Sequence, residues 1–231
     1  DYSMRIWNAD GSEAEMCGNG IRCFAKSAID RGIVPPPQNG ITVETLAGVR
    51  TVAPRYDGGS ITGARVGMGM PGLNLQDLPV SIDSAMGTPA GPVVDYPLHI
   101  DGHNLTLTFV SMGNPHAVTF LDEPVAEFPL HDIGPQVEHH SMFPKRVNFE
   151  VVNQSDQGQL TARVWERGSG ETMACGTGAC AIAVAACLRG YAGGSFDITL
   201  PGGALSIDWD GQGEVFMEGT AEEVFSGEWN G

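Results

Sequence analysis

Two cysteines sit in matched settings. One lies in Met16-Cys17-Gly18-Asn19-Gly20 and the other in Ala174-Cys175-Gly176-Thr177-Gly178, and a helix-like run follows each. Each thiol precedes a Gly-x-Gly turn at the expected N-terminus of a helix, where backbone N–H groups point outward and negative charge is favoured. A thiol there is expected to have a lowered pKa. Two such thiols facing one pocket would form a two-base device. One would take a proton from a carbon, and the other would return a proton on the opposite face. The glycines let the backbone approach an anion closely. Two helix ends converging on one carboxylate would bind it and stabilise the carbanion formed beside it.

Cys23, Cys180 and Cys187 lie inside the helical runs and read as small buried hydrophobes. The spacings Cys17/Cys23 and Cys175/Cys180 are not those of zinc sites, and no Cys-x-x-Cys occurs, so no metal is expected. Five cysteines and an opening segment unlike a signal peptide argue for free thiols in a reducing cytoplasm. Two further clusters carry polar groups: Gly113-Asn114-Pro115-His116 after one strand pattern, and Glu166-Arg167-Gly168 at the end of another. Taken alone, His116 reads as a surface or satisfied core histidine. Glu166 and Arg167 read as a solvated pair that gains interest from its place shortly before Cys175. His139 and His140 read as exposed loop.

The elements that must position these groups follow from periodicity. After Gly20, the apolar residues Ile21, Phe24, Ala25, Ala28 and Ile29 mark one helical face, with Gly32 as its C-terminal stop. A second helix runs from about Gly178 to Leu188 and stops at Gly190. It is apolar all round, so it must be buried on every side, as a central helix wrapped by sheet would be. Strand patterns occupy 1–7, 41–44, 49–53, 64–68, 105–111, 117–121, 147–152, 160–165, 196–200, 204–209, 214–218 and 223–225. Residues 8–12 read as a turn, and Asp57-Gly58-Gly59 as a hairpin turn. Strand, turn, thiol and helix recur in each half, which points to a duplicated α/β (α+β) architecture. Each unit is expected to be a curved mixed or antiparallel sheet around a central helix. A Pro- and Gly-rich stretch after Met70 sets the boundary: residues 1–71, with 219–231 returning to them, against 72–218.

Composition narrows the function classes. A net charge of −16 argues against nucleic acid and anionic membranes as partners. At 42% hydrophobic and 17% charged residues the chain reads as globular, and it holds no apolar run long enough for a transmembrane helix.

Longer motifs carry a resemblance. Asn8-Ala-Asp-Gly-Ser-Glu13, Cys17-Gly-Asn-Gly-x-Arg22-Cys23, Ser111-Met-Gly-Asn-Pro-His116, Glu166-Arg-Gly-x-Gly-Glu-Thr172, Ala174-Cys-Gly-Thr-Gly-Ala-Cys180 and Leu200-Pro-Gly-Gly203 resemble the diaminopimelate epimerase family. The resemblance implies two pseudo-symmetric units with the active site in the cleft between them. It implies an isomerase without cofactor that interconverts LL- and meso-diaminopimelate in lysine and peptidoglycan synthesis. Carried over, Cys17 and Cys175 are the proton acceptor–donor pair. Gly18, Asn19, Gly176 and Thr177 hold the reacting carboxylate and amino group. Asn8, Asn114, Asn148, Glu166 and Arg167 recognise the substrate, and His116 and Glu166 tune the thiols. The partner is a small molecule, and a homodimer is left open. Thr177 stands where many members have Ser, which keeps a hydroxyl. The resemblance also implies a further segment ahead of Asp1. Its absence is expected to leave the first sheet incomplete, with apolar surface exposed and little activity.

Three rivals stand beside this reading. Proline or hydroxyproline racemases share the paired Cys-Gly-x-Gly turns, but they typically carry His in the first turn and Asp-Arg-Ser-Pro before the second. This chain has Asn19 and Glu166-Arg167-Gly168-Ser169 there. A non-catalytic amino-acid-binding domain would not need both thiols. A structural protein with incidental cysteines would need neither.

Overall fold

The computed structural model describes residues 2–7, 11, 13–35, 40–82, 91–155, 158–191 and 194–228. The chain divides into two units: Asp1–Gly67 with Glu218–Gly231, and Met68–Met217.

In the first unit the chain forms β1 (Tyr2–Ser3), β2 (Ile6–Trp7), β3 (Glu13–Ala14), α1 (Gly18–Asp30), β4 (Ile41–Thr45), β5 (Gly48–Asp57) and β6 (Ser60–Gly69), the last ending just inside the second unit. Strand order is β1-β4-β5-β6, with β1 parallel to β4 and the rest antiparallel. The expected strand 1–7 is therefore two short strands, and β2 pairs with β3 in a separate ribbon. Along β4, Ile41, Val43 and Thr45 are buried and the residues between them exposed, the period-two signature of a sheet with one covered face. Gly58 and Gly59 have positive φ and close the β5–β6 hairpin as read from sequence.

The second unit contributes β7 (Tyr96–Ile100), β8 (His103–Ser111), β9 (Pro115–Leu121), α2 (Leu130–Glu138), β10 (Asn148–Gln154), β11 (Leu160–Glu166), β12 (Gly170–Thr172), α3 (Gly176–Leu188), β13 (Ser195–Leu200), β14 (Gly203–Asp208) and the first half of β15 (Val215–Thr220). Its strand order is β15-β14-β13-β11-β10-β9-β8-β7, with β12 folded back on β11. The β9–β10 and β11–β13 pairs are parallel, and the sheet is mixed. Helix α3 packs on β8, β9, β10, β13 and β14, so the sheet curves around it. Every residue from Gly178 to Ala186 is buried, as its all-round apolar sequence requires.

Helix α2 was not expected, because Gly134 and Pro135 interrupt its pattern. Gly134 is the reason it fits. A Cβ there would lie 2.6 Å from Cδ2 of Trp165 on β11, so the helix seats flush against the indole ring. Gly134→Ala is expected to cost about 1–3 kcal/mol by overpacking. A lower melting temperature and a changed near-ultraviolet signal from Trp165 would register it. An unchanged transition would contradict the close packing.

Two other expectations fail. Residues 223–225 form no strand, and Val224 and Phe225 are 89% and 83% exposed. The second concerns Cys23 in helix α1, read above as a buried hydrophobe. Ile21, Ala25, Ala28 and Ile29 are buried, but Cys23, Ser27 and Asp30 face solvent, so one flank is covered and the other is polar. Cys23 is accordingly an exposed thiol rather than a core residue.

Candidate active site

The two helices begin and end alike. Cys17 caps α1 with an extended backbone, and its Sγ accepts the Gly20 N–H at 3.3 Å. Cys175 caps α3 in nearly the same conformation, and its Sγ accepts the Gly178 N–H at 3.4 Å. In each case sulfur takes the place of the usual hydroxyl or carboxylate cap and meets a donor the helix cannot satisfy internally. Both helices span 13 residues. Both close with a left-handed glycine, Gly32 or Gly190, followed by an N–H that returns to the carbonyl of Ala28 or Ala186. The duplication read from sequence thus extends to the caps at both ends.

In the first unit, Arg22 stabilises the turn that carries Cys17. Its buried guanidinium donates to the carbonyls of Gly18 and Thr220 and to Asn19 Oδ1. Burial lowers its pKa. Sequence reading noted Arg22 within a motif and gave it no task. Asn8 lies outside the described residues.

In the second unit, Cys175 connects to several of the named candidates through Thr177. Thr177 Oγ1 is 3.5 Å from its sulfur, and Asn114 Nδ2 donates to Thr177 at 3.3 Å. His116 is fully buried, with Nε2 2.9 Å from Asn114 Oδ1 and Nδ1 2.7 Å from Glu150 Oε1. Glu166 accepts the Thr172 hydroxyl at 2.5 Å. Asn148 is buried, and its amide spans backbone groups: it donates to the Pro115 carbonyl and accepts the Arg167 N–H at 2.8 Å. The exposed Arg167 side chain reaches the Lys145 carbonyl. Glu138, at the end of α2, accepts from Trp165 Nε1 and from the Gly168 N–H. It holds the turn that presents Glu166 and Arg167.

Glu150 and Glu138 escaped sequence reading. Glu150 stands in an apolar strand buried on both faces, where a carboxylate is costly unless paired. That context was the available signal.

The lowered thiol pKa expected at both helix ends does not hold for Cys175. Burial pushes it up, and the charge of Glu166 adds to the rise. The Thr177 hydroxyl and the Gly178 N–H pull it down by less. The helix end stabilises a thiolate, but exclusion from water outweighs it. Cys175 should therefore alkylate with iodoacetamide about tenfold faster per pH unit through roughly pH 7 to 9, with no plateau. Peptide mass spectrometry would follow this site. Saturation near neutrality would contradict the assignment.

The sequence model described as diaminopimelate epimerase matches residues 1–73 and 108–224. A diaminopimelate epimerase from Desulfovibrio desulfuricans is 46% identical over 230 residues, covering 99% of this chain and 79% of that protein. One from Methanococcus maripaludis is 43% identical over 229 residues, with the same two coverages. Among solved structures, a hydroxyproline epimerase from Agrobacterium vitis superposes with a TM-score of 0.65 at 14% identity, covering 94% of this chain and 67% of that one. A PhzF-family protein from Bacillus anthracis gives 0.63 at 13% identity, covering 95% and 78%. At such identities the likeness to these structures concerns the fold. The extent of the family match and the identity to the curated relatives establish that this chain belongs to the diaminopimelate epimerase family.

Proposed function

We propose that the chain interconverts LL- and meso-diaminopimelate by two-thiol proton transfer at one α-carbon. The observation that carries this reading is the repeated cap, a cysteine sulfur accepting a helix N–H at the start of α1 and again at the start of α3. One thiolate takes the α-proton and becomes a thiol. The electron pair left on carbon is stabilised by the neighbouring carboxylate, held by the N–H groups of the Gly18–Asn19 and Gly176–Thr177 turns. The other thiol delivers its proton to the opposite face and becomes the thiolate. Burial keeps Cys175 protonated in the free protein, the state required of the delivering thiol. Asn8, Asn114, Asn148, Glu166 and Arg167 are the proposed recognition groups for the substrate. In this reading Asn148 acts mainly by fixing the Arg167 turn, because both ends of its amide engage backbone. His116 and Glu166 are proposed to set thiol protonation. A reducing cytoplasm is the proposed location, since both thiols must stay reduced.

Incubation with LL-diaminopimelate under reducing conditions, followed by chiral chromatography, tests the substrate. The meso isomer should accumulate, and L-proline should remain unchanged. Inversion of proline in place of diaminopimelate would favour the racemase rival.

A further inference from the structure

Glu150 is fully buried on β10, and its Oε2 has no hydrogen-bond partner among the described residues. Its Oε1 lies 2.7 Å from His116 Nδ1. The α3 N-terminus comes close because residue 178 lacks a side chain: a Cβ there would sit 3.1 Å from Glu150 Oε1. From this carboxyl a single file of contacts runs through His116, Asn114 and Thr177 to the Cys175 sulfur. We propose that Glu150 is a positioning residue that sets the direction of every hydrogen bond in this file, so that the Thr177 hydroxyl donates to Cys175. The proposal rests on the reading of Cys175 as a proton carrier.

The argument is one of donor and acceptor bookkeeping. Asn114 Nδ2 only donates, so Thr177 Oγ1 accepts and its one hydroxyl proton is left for sulfur. Asn114 Oδ1 only accepts, so His116 Nε2 carries a proton. Turning the Asn114 amide over would reverse both assignments, so something must select between the two directions. Glu150 does. An ionised carboxylate with one oxygen unpartnered in the interior is costly, whereas an unpartnered carbonyl oxygen of a neutral acid is far less so. Burial accordingly raises the Glu150 pKa against the opposing pull of His116. The neutral acid donates from Oε1 to Nδ1. His116 donates from Nε2 to Asn114, Asn114 donates from Nδ2 to Thr177, and Thr177 donates to sulfur. Bonds aligned this way reinforce one another. When Cys175 becomes a thiolate it meets two donors, the Thr177 O–H and the Gly178 N–H. When it is a thiol, its own proton is turned away from Thr177 and left for the substrate carbon.

Long-range proton–nitrogen NMR of 15N-histidine-labelled, reduced, substrate-free protein reads the central element directly. The His116 signal would be assigned by its loss in His116→Gln. The expected result is a neutral ring with the proton on Nε2. An imidazolium, or a ring protonated on Nδ1 alone, would overturn the proposal. Activity gives the second reading. Glu150→Leu should lower kcat by about tenfold or more, with KM little changed. Glu150→Gln, whose amide donates to Nδ1 as the neutral acid does, should restore most of that loss. A Gln variant as impaired as Leu would overturn the proposal. The NMR result does not depend on turnover, so an inactive wild-type chain would count against the functional reading and leave this one to its own test.

Discussion

Cys17→Ala and Cys175→Ala should each lower epimerisation on the order of 10³-fold, the scale of positioned proton transfer to or from carbon. The two variants should differ in what survives. Each keeps one thiol, which in the proposed mechanism addresses one face of the α-carbon. Residual exchange of the α-proton with solvent is therefore expected for one epimer only, and for opposite epimers in the two variants. Proton NMR in D2O with each pure epimer would resolve this. If both variants kept near-normal inversion, the two-thiol account would be wrong. If both exchanged the same epimer, the assignment of one thiol to each face would be wrong. Neither substitution should unfold the protein. Each cap gives up one weak bond to sulfur, and losing a cap costs about 1 kcal/mol.

The second large effect separates the two helices. Cys23 in α1 and Ala181 in α3 occupy the same position, six residues after their capping cysteines. Cys23 is exposed, and Ala181 is fully buried. Ala181→Glu would place a charge among apolar groups with no partner at hand, and it should cost about 4 kcal/mol or more. That is a large part of an ordinary domain's stability, so the second unit should unfold or lose its cooperative transition. Cys23→Glu, on the solvent side of α1, should stay within about 0.5 kcal/mol. Thermal denaturation followed by circular dichroism compares them directly. Equal tolerance would mean that α3 is not enclosed as described.

This contrast also marks where sequence was a good guide. The apolar run of α3 has no polar flank, and it could only be a buried helix. The face formed by Ile21, Ala25, Ala28 and Ile29 was equally plain, and Lys26, Ser27 and Asp30 already implied a wet side for α1. Reading Cys23 as a core residue overlooked that wet side. Cysteine before Gly-x-Gly correctly marked two helix starts, because the turn and the unpaired N–H groups are local features. The state of the Cys175 thiol was not local. It depends on burial under β-strands distant in sequence and on Glu150, which pairs with His116 across the β9–β10 ladder. Glu150 was passed over because one acid in a strand ordinarily points to solvent. Only the burial of both faces of β10 gives it significance. Helix α2 was hidden by Gly134 and Pro135, two residues that usually end a helix. Here Gly134 makes room for Trp165. The pattern at 223–225 misled in the opposite way, since Val224 and Phe225 have strand propensity but no neighbouring strand takes them up.

The most direct test of the central claim follows deuterium during the first few per cent of conversion of LL-diaminopimelate in D2O, with the protein reduced. If one thiol takes the proton and the other gives one, newly formed meso product carries deuterium at the inverted carbon while recovered LL substrate still carries hydrogen. Deuterium entering recovered LL substrate as fast as meso product forms would show a single base serving both faces, and would contradict the account.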